Sequence, residues 1–244
     1  MVPYQRQKKI IELIQEKNLI LINELLEKIP EVSESTLRRD LKKLENQEKI
    51  ELLSGGAVKL VDHAVADLPI KTKQMLNTDK KKYIVQLAVQ QIETNDLVFI
   101  DSGSTCSLLL EELVKLPIRI VTNNPIIFSY SNINASVILV GGSFNSHLSS
   151  LRGEITIQNL KTFIFDKSFI GCNGVDNHFG ISTPSMEEAK TKQIILQRSK
   201  ITFVLADSSK FNQVSNVEVC GLDKICLITD KQNAQFTNLK ELIS

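Results

Sequence analysis

The chain holds 244 residues, 42% hydrophobic and 23% charged, the proportions of an ordinary globular protein, which excludes a fibre or a disordered chain. Apolar runs such as Leu97-Val98-Phe99-Ile100 are of strand length, far short of the roughly 20 residues that span a bilayer. Met1 to Lys9 has no apolar stretch ending in a small-residue cleavage site, so a cytoplasmic protein with no membrane partner is expected. The net charge of +1 announces no polyanionic partner, and residues 1–60 carry 11 basic against 10 acidic residues; DNA contact must come from where charges sit, not from their sum.

Four cysteines (Cys106, Cys172, Cys220, Cys226) lack a C-x-x-C pair and sit in apolar sequence, which predicts buried free thiols. The three histidines are scattered. No metal or cofactor is expected.

In chain order, Ile10, Ile11, Leu13 and Ile14 recur at helical spacing and predict a first helix over 3–17. A polar break at Lys17-Asn18 precedes Leu19 to Ile22, and a second short helix fits Asn23 to Lys28. Pro30 stops it, because proline cannot continue the helical hydrogen bonds. Ser33 is a good N-cap for a third helix running to about Asn46. In that helix Leu37, Leu41 and Leu44 fall at i, i+4 and i+7 and form one apolar stripe. At about 100° per residue, Ser35, Arg38, Arg39, Lys42 and Lys43 spread over the opposite side, with Glu34 and Asp40 nearer the stripe's flanks. Two arginines preceded by Ser33, Ser35 and Thr36 suit a helix pushed into the major groove of double-stranded DNA, where arginine binds guanine or phosphate and small hydroxyls reach phosphates or base edges. Lys49 to Leu53 and Ala57 to Leu60 flank Ser54-Gly55-Gly56 and read as a β-hairpin. Three helices and a hairpin make a winged helix-turn-helix over 1–60.

The stretch VSESTLRRDLKKLENQEKIELLSGGA resembles the DNA-binding segment of the DeoR family of bacterial regulators, in the S-x-x-T-x-R-R-D-L spacing from Ser33 to Leu41 and in the G-G-A of the wing. The resemblance implies a transcriptional regulator acting on operator DNA.

Residues 61–78 show no sustained period around Pro69 and read as a linker. Thr78 is a candidate N-cap for a helix carrying Ile84, Leu87, Ala88 and Ile92. From there strands and helices alternate: strand 97–101, helix 104–115, strand 118–122, helix 124–131, strand 137–140, helix 155–162, strand 167–170, helix 185–199, strand 201–206 and a last strand 224–229. The alternation predicts an α/β domain over 79–244 built on a parallel sheet buried on both faces. In such open sheets ligands bind beyond the carboxyl ends of the strands. Polar clusters sit at those ends: Asp101-Ser102-Gly103-Ser104-Thr105, Thr122-Asn123-Asn124, Gly141-Gly142 and Asp207-Ser208-Ser209-Lys210. The first joins a tight turn to a helix N-terminus, a pattern that wraps a phosphate. The pattern fits neither G-x-G-x-x-G nor G-x-x-x-x-G-K-[ST], so dinucleotides and nucleoside triphosphates are unsupported.

This second region is similar to the C-terminal sensor of the same family, by DSGST, VTNN, GG, LRGE, DKSFIGCNGVD, GIST with EEAKTK, and LADSSKF. The resemblance implies a Rossmann-like fold related to ribose-5-phosphate isomerase and a phosphorylated sugar as effector. By the same resemblance, Ser104 and Thr105 would hold phosphate, with Lys210 as counter-charge. Asp101, Asn123, Glu188 and Asp207 would meet sugar hydroxyls, while Arg152 and Lys192 would line the same mouth with Ser102, Gly103 and Gly142. A repressor relieved by the sugar is the expected function, working as a homo-oligomer, dimer or tetramer. The alternative is a sugar-phosphate isomerase-like enzyme carrying a DNA-binding domain. That chemistry requires a carboxylate base and a cation at the reacting carbon, which Asp101, Asp207 and Lys210 supply in kind, but binding alone uses the same residue types, and no catalytic residue is assigned.

Overall fold

The computed structural model describes residues 2–17, 19–47, 49–53, 55–60, 69–231, 236 and 239–244. The chain divides into two compact units, Met1–His63 and Ala64–Ser244.

In the first unit, α1 (Pro3–Lys17) is followed by β1 (Leu19–Leu21), α2 (Ile22–Lys28) and α3 (Glu34–Asn46), then β2 (Ile50–Leu53) and β3 (Ala57–Leu60). The strands form an antiparallel sheet in the order β1-β3-β2. The run beginning at Leu19, expected only to follow a break, thus pairs its first three residues with the wing, Ile20 opposite Val58. The β2–β3 turn places Gly55 and Gly56 at φ of 99° and 76°, a left-handed region that glycine enters without steric penalty. Ile10, Ile14, Leu25, Leu37, Leu41 and Leu44 are buried in one helical core. Each such side chain contributes about 1.5–3 kcal/mol by leaving water.

The second unit opens with α4 (Ile70–Met75) and α5 (Thr78–Val89). The expected linker is therefore helical over part of its length, while its residues 61–68 lie outside the described residues. Six residues with a single buried anchor, Ile70, leave no readable period. Asn77, in the left-handed conformation, rather than Thr78, is the cap residue of α5. There follow β4 (Leu97–Ile100), α6 (Ser104–Leu113), β5 (Arg119–Thr122), β6 (Ser136–Leu139), β7 (Ser143–Asn145), β8 (Ser150–Arg152) and α7 (Glu154–Lys161). Then come β9 (Phe165–Gly171), β10 (Gly174–Asp176), β11 (Gly180–Thr183), α8 (Met186–Arg198), β12 (Ser199–Leu205), β13 (Val217–Cys220), β14 (Cys226–Ile228) and β15 (Glu241–Ile243). The helix expected over 124–131 is a 3-10 turn, Pro125–Ser129, capped by the Asn124 side chain.

Seven strands form one all-parallel sheet in the order β15-β14-β12-β9-β4-β5-β6. Alternate residues of each strand feed opposite layers. Val98 and Ile100 pack with α5 and α6, whereas Phe99 between them packs with residues of α7 and α8. Burial on both faces explains why the strands read as continuous apolar runs. Strand 224–229 is not the last, because β15 pairs beyond it. The hairpin β7–β8 and the antiparallel sheet β10-β11-β13 were not expected either.

Candidate functional site

The DNA-facing candidate is α3. Ser33 caps it, its hydroxyl accepting from the Thr36 amide at 3.4 Å and lying 2.9 Å from the Thr36 hydroxyl. Leu37, Leu41 and Leu44 anchor the helix in the core, which leaves Ser33, Ser35, Arg38, Arg39, Lys42 and Lys43 exposed and Thr36 half-buried. Arg38 meets Glu34 one turn earlier, Nε to Oε1 at 2.9 Å and Nη2 to Oε1 at 2.8 Å, with the two side chains 61% and 56% exposed. A surface pair of that kind is worth about 0.3–0.5 kcal/mol, so it does not lock the guanidinium. No hydrogen bond or ion pair holds the Arg39 or Lys42 side chain among the described residues.

Asp40 corrects the expectation that it sits on the stripe's flank. It is buried at 5% exposure among the leucines, where it accepts from Arg6 Nε of α1 and from Gln7 Nε2 at 3.0 Å. Burial raises a carboxyl pKa, but the bonds from Arg6 and Gln7 outweigh it and hold Asp40 below the usual carboxylate range. The buried pair ties α3 to α1 and so fixes how far the cationic face stands out.

The second candidate lies at the carboxyl ends of the parallel strands. The chain lays down β4, β5 and β6 outward in one direction, then β9, β12, β14 and β15 in the other. The order reverses between β4 and β9, and a crevice opens at such a switch point. Asp101 ends β4 there. Its Oδ1 accepts from the Ser102 amide at 2.8 Å, while Oδ2 accepts from Lys192 Nζ of α8 and from the Gly171 amide at 3.4 Å. Lys192 and Asp101 are almost wholly enclosed. Desolvation disfavours the ammonium, yet Asp101 and Glu188 offset it and raise the Lys192 pKa above its ordinary value. Glu188 also accepts from the Thr183 hydroxyl at 2.8 Å.

Asn123, at the end of β5, accepts from the Ser102 amide at 2.9 Å through Oδ1 and contacts Leu151 of β8 through both its carbonyl and its side-chain amide. The loop 102–105 is thereby fixed against β5, with Ser102, Gly103 and Ser104 half-buried and Thr105 buried at the start of α6. A Cβ on Gly103 would meet nothing within 4 Å, so the backbone there is open to a ligand. Gly142 differs: a Cβ would fall 2.0 Å from the Thr156 hydroxyl and 2.7 Å from the Arg152 carbonyl, so its glycine serves close packing of the hairpin. Arg152 ends β8 and donates through Nη1 to Glu187 at 3.1 Å.

Asp207 caps a 3-10 turn, Ser208–Lys210, and accepts from the Ser209 amide at 3.0 Å and from Asn77 Nδ2 at 3.1 Å. Ser208 is held by Asp230 and accepts from Lys80 Nζ at 2.8 Å. Lys210 is half-buried and makes no side-chain hydrogen bond or ion pair among the described residues. Sequence reasoning missed Lys81. It is 4% exposed, its ammonium capping the carboxyl end of α4 at the Leu76 carbonyl (2.7 Å) and the Lys73 carbonyl. Burial lowers its pKa to about 8, against the opposing pull of Asp207. Position 81 shares a helical stripe with Ile84, Val85 and Ala88, the signal that would have found it. All four cysteines are free thiols, but Cys172, expected to be buried, is only half so because it lies just past the end of β9, at the margin of one apolar layer. Loss of hydration still pushes its thiol up to about 12.

The two units match two family descriptions, the DeoR-like helix-turn-helix domain over 6–62 and the DeoR C terminal sensor domain over 76–231. The chain belongs to the DeoR family of transcriptional regulators. It is 30% identical over 99% of its length to the HTH-type transcriptional regulator FruR of Bacillus subtilis, covering 96% of that protein. It is 32% identical over 94% of its length to the lactose phosphotransferase system repressor of Streptococcus mutans, covering 92% of it. Among solved structures, ribose 5-phosphate isomerase A of Methanocaldococcus jannaschii aligns at 16% identity and a TM-score of 0.40, over 56% of each chain. Among the described residues no helix is long and apolar enough to cross a membrane.

Proposed function

We propose that this regulator represses carbohydrate-metabolism genes in the cytoplasm and leaves its operator when a phosphorylated sugar binds the sensor unit. The carrying observation is the β4/β9 switch point, where an open loop at a helix N-terminus (102–105) is joined to Asp101 and Asn123, with Lys192 bound to Asp101, while Asp207 and Lys210 follow the end of β12, the strand beside β9. A relative named for repression of a sugar phosphotransferase system agrees with that chemistry. The phosphate takes the amides of 103–105 and the hydroxyls of Ser102, Ser104 and Thr105, with Lys210 as counter-charge, and Asn123, Asp207 and Glu188 meet sugar hydroxyls. Asp101 acts through Lys192: its oxygens already accept three donors, although carboxylate lone pairs remain for a further one.

Release requires that the sugar prefer the DNA-free conformation. The segment 70–80, which follows Pro69, is held at one end by the β7–β8 turn and at the other by the loop after β12. Ile70 donates to the His147 carbonyl of the β7–β8 turn at 3.0 Å, and Asn77 and Lys80 hold residues 207–209. Movement of those loops reaches the chain leading to the DNA-binding unit, and two copies place their α3 helices in successive major grooves as a homo-oligomer. The DNA-binding domain of this reading spans 1–60 and the sensing domain 79–244, with α4 and Asn77 from the intervening 61–78 belonging to the second unit. Catalysis is not part of this reading. Thermal unfolding of the full chain with a panel of sugar phosphates tests it, because ligand at about 100 times its Kd adds about 2.7 kcal/mol of stability. Turnover of any of them, or silence across the panel, overturns it.

A further inference from the structure

One charged group at the end of β8 is not satisfied by the protein around it. Arg152 is 15% exposed, and only its Nη1 is engaged, by Glu187 at 3.1 Å. Nε and Nη2 are out of reach of water, and no acceptor lies within hydrogen-bond distance of either among the described residues. A guanidinium stays charged at any working pH and presents Nε and Nη2 as a planar fork matched to two oxygens of one carboxylate or phosphate. A buried fork without an acceptor is costly. Its position adds to the case. Arg152 directly follows Leu151, which Asn123 binds at 2.9 Å while also holding the Ser102 amide at 2.9 Å. Arg152 and the loop 102–105 therefore flank the same asparagine. Gly153, at φ of 94°, turns the chain from Arg152 into the first amides of α7. A cavity of about 510 Å³ lined by Gly153, Glu154, Ile157, Met186 and Glu187 lies beside the residue that follows Arg152 and the one that binds it, and an anion meets Nε and Nη2 once the guanidinium turns out of its enclosed position.

We infer that the sensor's ligand carries two anionic groups, a phosphate on the loop 102–105 and a second anion on the Nε/Nη2 edge of Arg152. This rests on the sugar-phosphate reading and narrows it to bisphosphorylated sugars or phosphorylated sugar acids. Lys210 does not supply the second subsite, since it belongs with Asp207 on the β12 side of the crevice.

The test is calorimetry on the full chain with matched ligands: hexose monophosphates, the corresponding 1,6-bisphosphates, and 6-phosphogluconate. Wild-type protein is expected to prefer one of the two-anion classes over its monophosphate by at least about tenfold, as a charge-assisted bidentate contact warrants. In Arg152→Gln that preference falls below about twofold, and Arg152→Lys, which keeps the charge without the fork, lies between. The bisphosphate and acid arms separate a second phosphate from a carboxylate. Equal affinity for one- and two-anion ligands in wild type, or a preference that survives in Arg152→Gln, overturns the inference while leaving the sugar-phosphate reading intact. Silence towards every ligand sinks both.

Discussion

Asp40 and Lys81 pose the same problem on two different helices. Asp40 shares a stripe with Leu37, Leu41 and Leu44, and Lys81 with Ile84, Val85 and Ala88. A charge at an apolar position is tolerated only with partners, and each has found them: Arg6 and Gln7 for the carboxylate, backbone carbonyls for the ammonium. Asp40→Asn removes a charged partner of Arg6, which costs about 1.5–3 kcal/mol, measurable by denaturant unfolding. Because the folded pKa of Asp40 is depressed, its contribution is complete above the ordinary carboxylate value of about 4 and is lost as pH falls through the folded value. Lys81 works with the opposite sign. Its folded pKa of about 8 lies below an unfolded value of about 10.4, so the folded state binds fewer protons between them and stability rises with pH across that window. The gain is on the order of 3 kcal/mol. Thiols and Tyr130, whose folded values are raised, titrate in the same range with the reverse effect. The contribution therefore shows as the difference between wild type and Lys81→Met across pH 8–10.4, and a flat difference would refute it.

At the scale of elements, what was readable follows from periodicity. α3 has three leucines at helical spacing, a serine cap and a proline before it, and it appears within one residue of expectation. The buried strands of the parallel sheet were readable because both faces are apolar. The strands of three or four residues at β7, β8, β10, β11, β13 and β15 are too short for a period, and β15 joins the sheet only by pairing with β14. Site residues at strand ends were legible as polar residues after apolar runs. Asn77 and Arg6 were not, since their roles depend on which elements come together, whereas Lys81 was marked by its place on an apolar stripe but its carbonyl partners were not. On α3 itself, Glu34 offers a test of orientation. It neutralises Arg38 on the exposed face, where an operator's phosphates would repel it. Glu34→Gln should tighten operator binding a few-fold, whereas Arg39→Ala should weaken it by about 1–3 kcal/mol if a base contact is lost. Gel-shift titration measures both, and unchanged affinity in both variants would mean that another surface meets DNA.

For the molecule as a whole, a net charge of +1 supplies little overall attraction to DNA. Affinity must then be local, supplied by a few cations on one helix, and salt dependence reads out how many. Each phosphate neutralised contributes about −0.9 to the slope of log K against log salt. Lys42 is exposed and no hydrogen bond or ion pair holds its side chain among the described residues, so it is suited to a phosphate rather than to a base. If two copies occupy one operator, Lys42→Gln removes two phosphate contacts per complex and should flatten the slope by about 1.8. If a single copy binds, the change is about 0.9. A fall in affinity at every salt concentration with an unchanged slope would instead place Lys42 on a base edge. The same titration therefore separates backbone from base contact and counts the subunits on the operator.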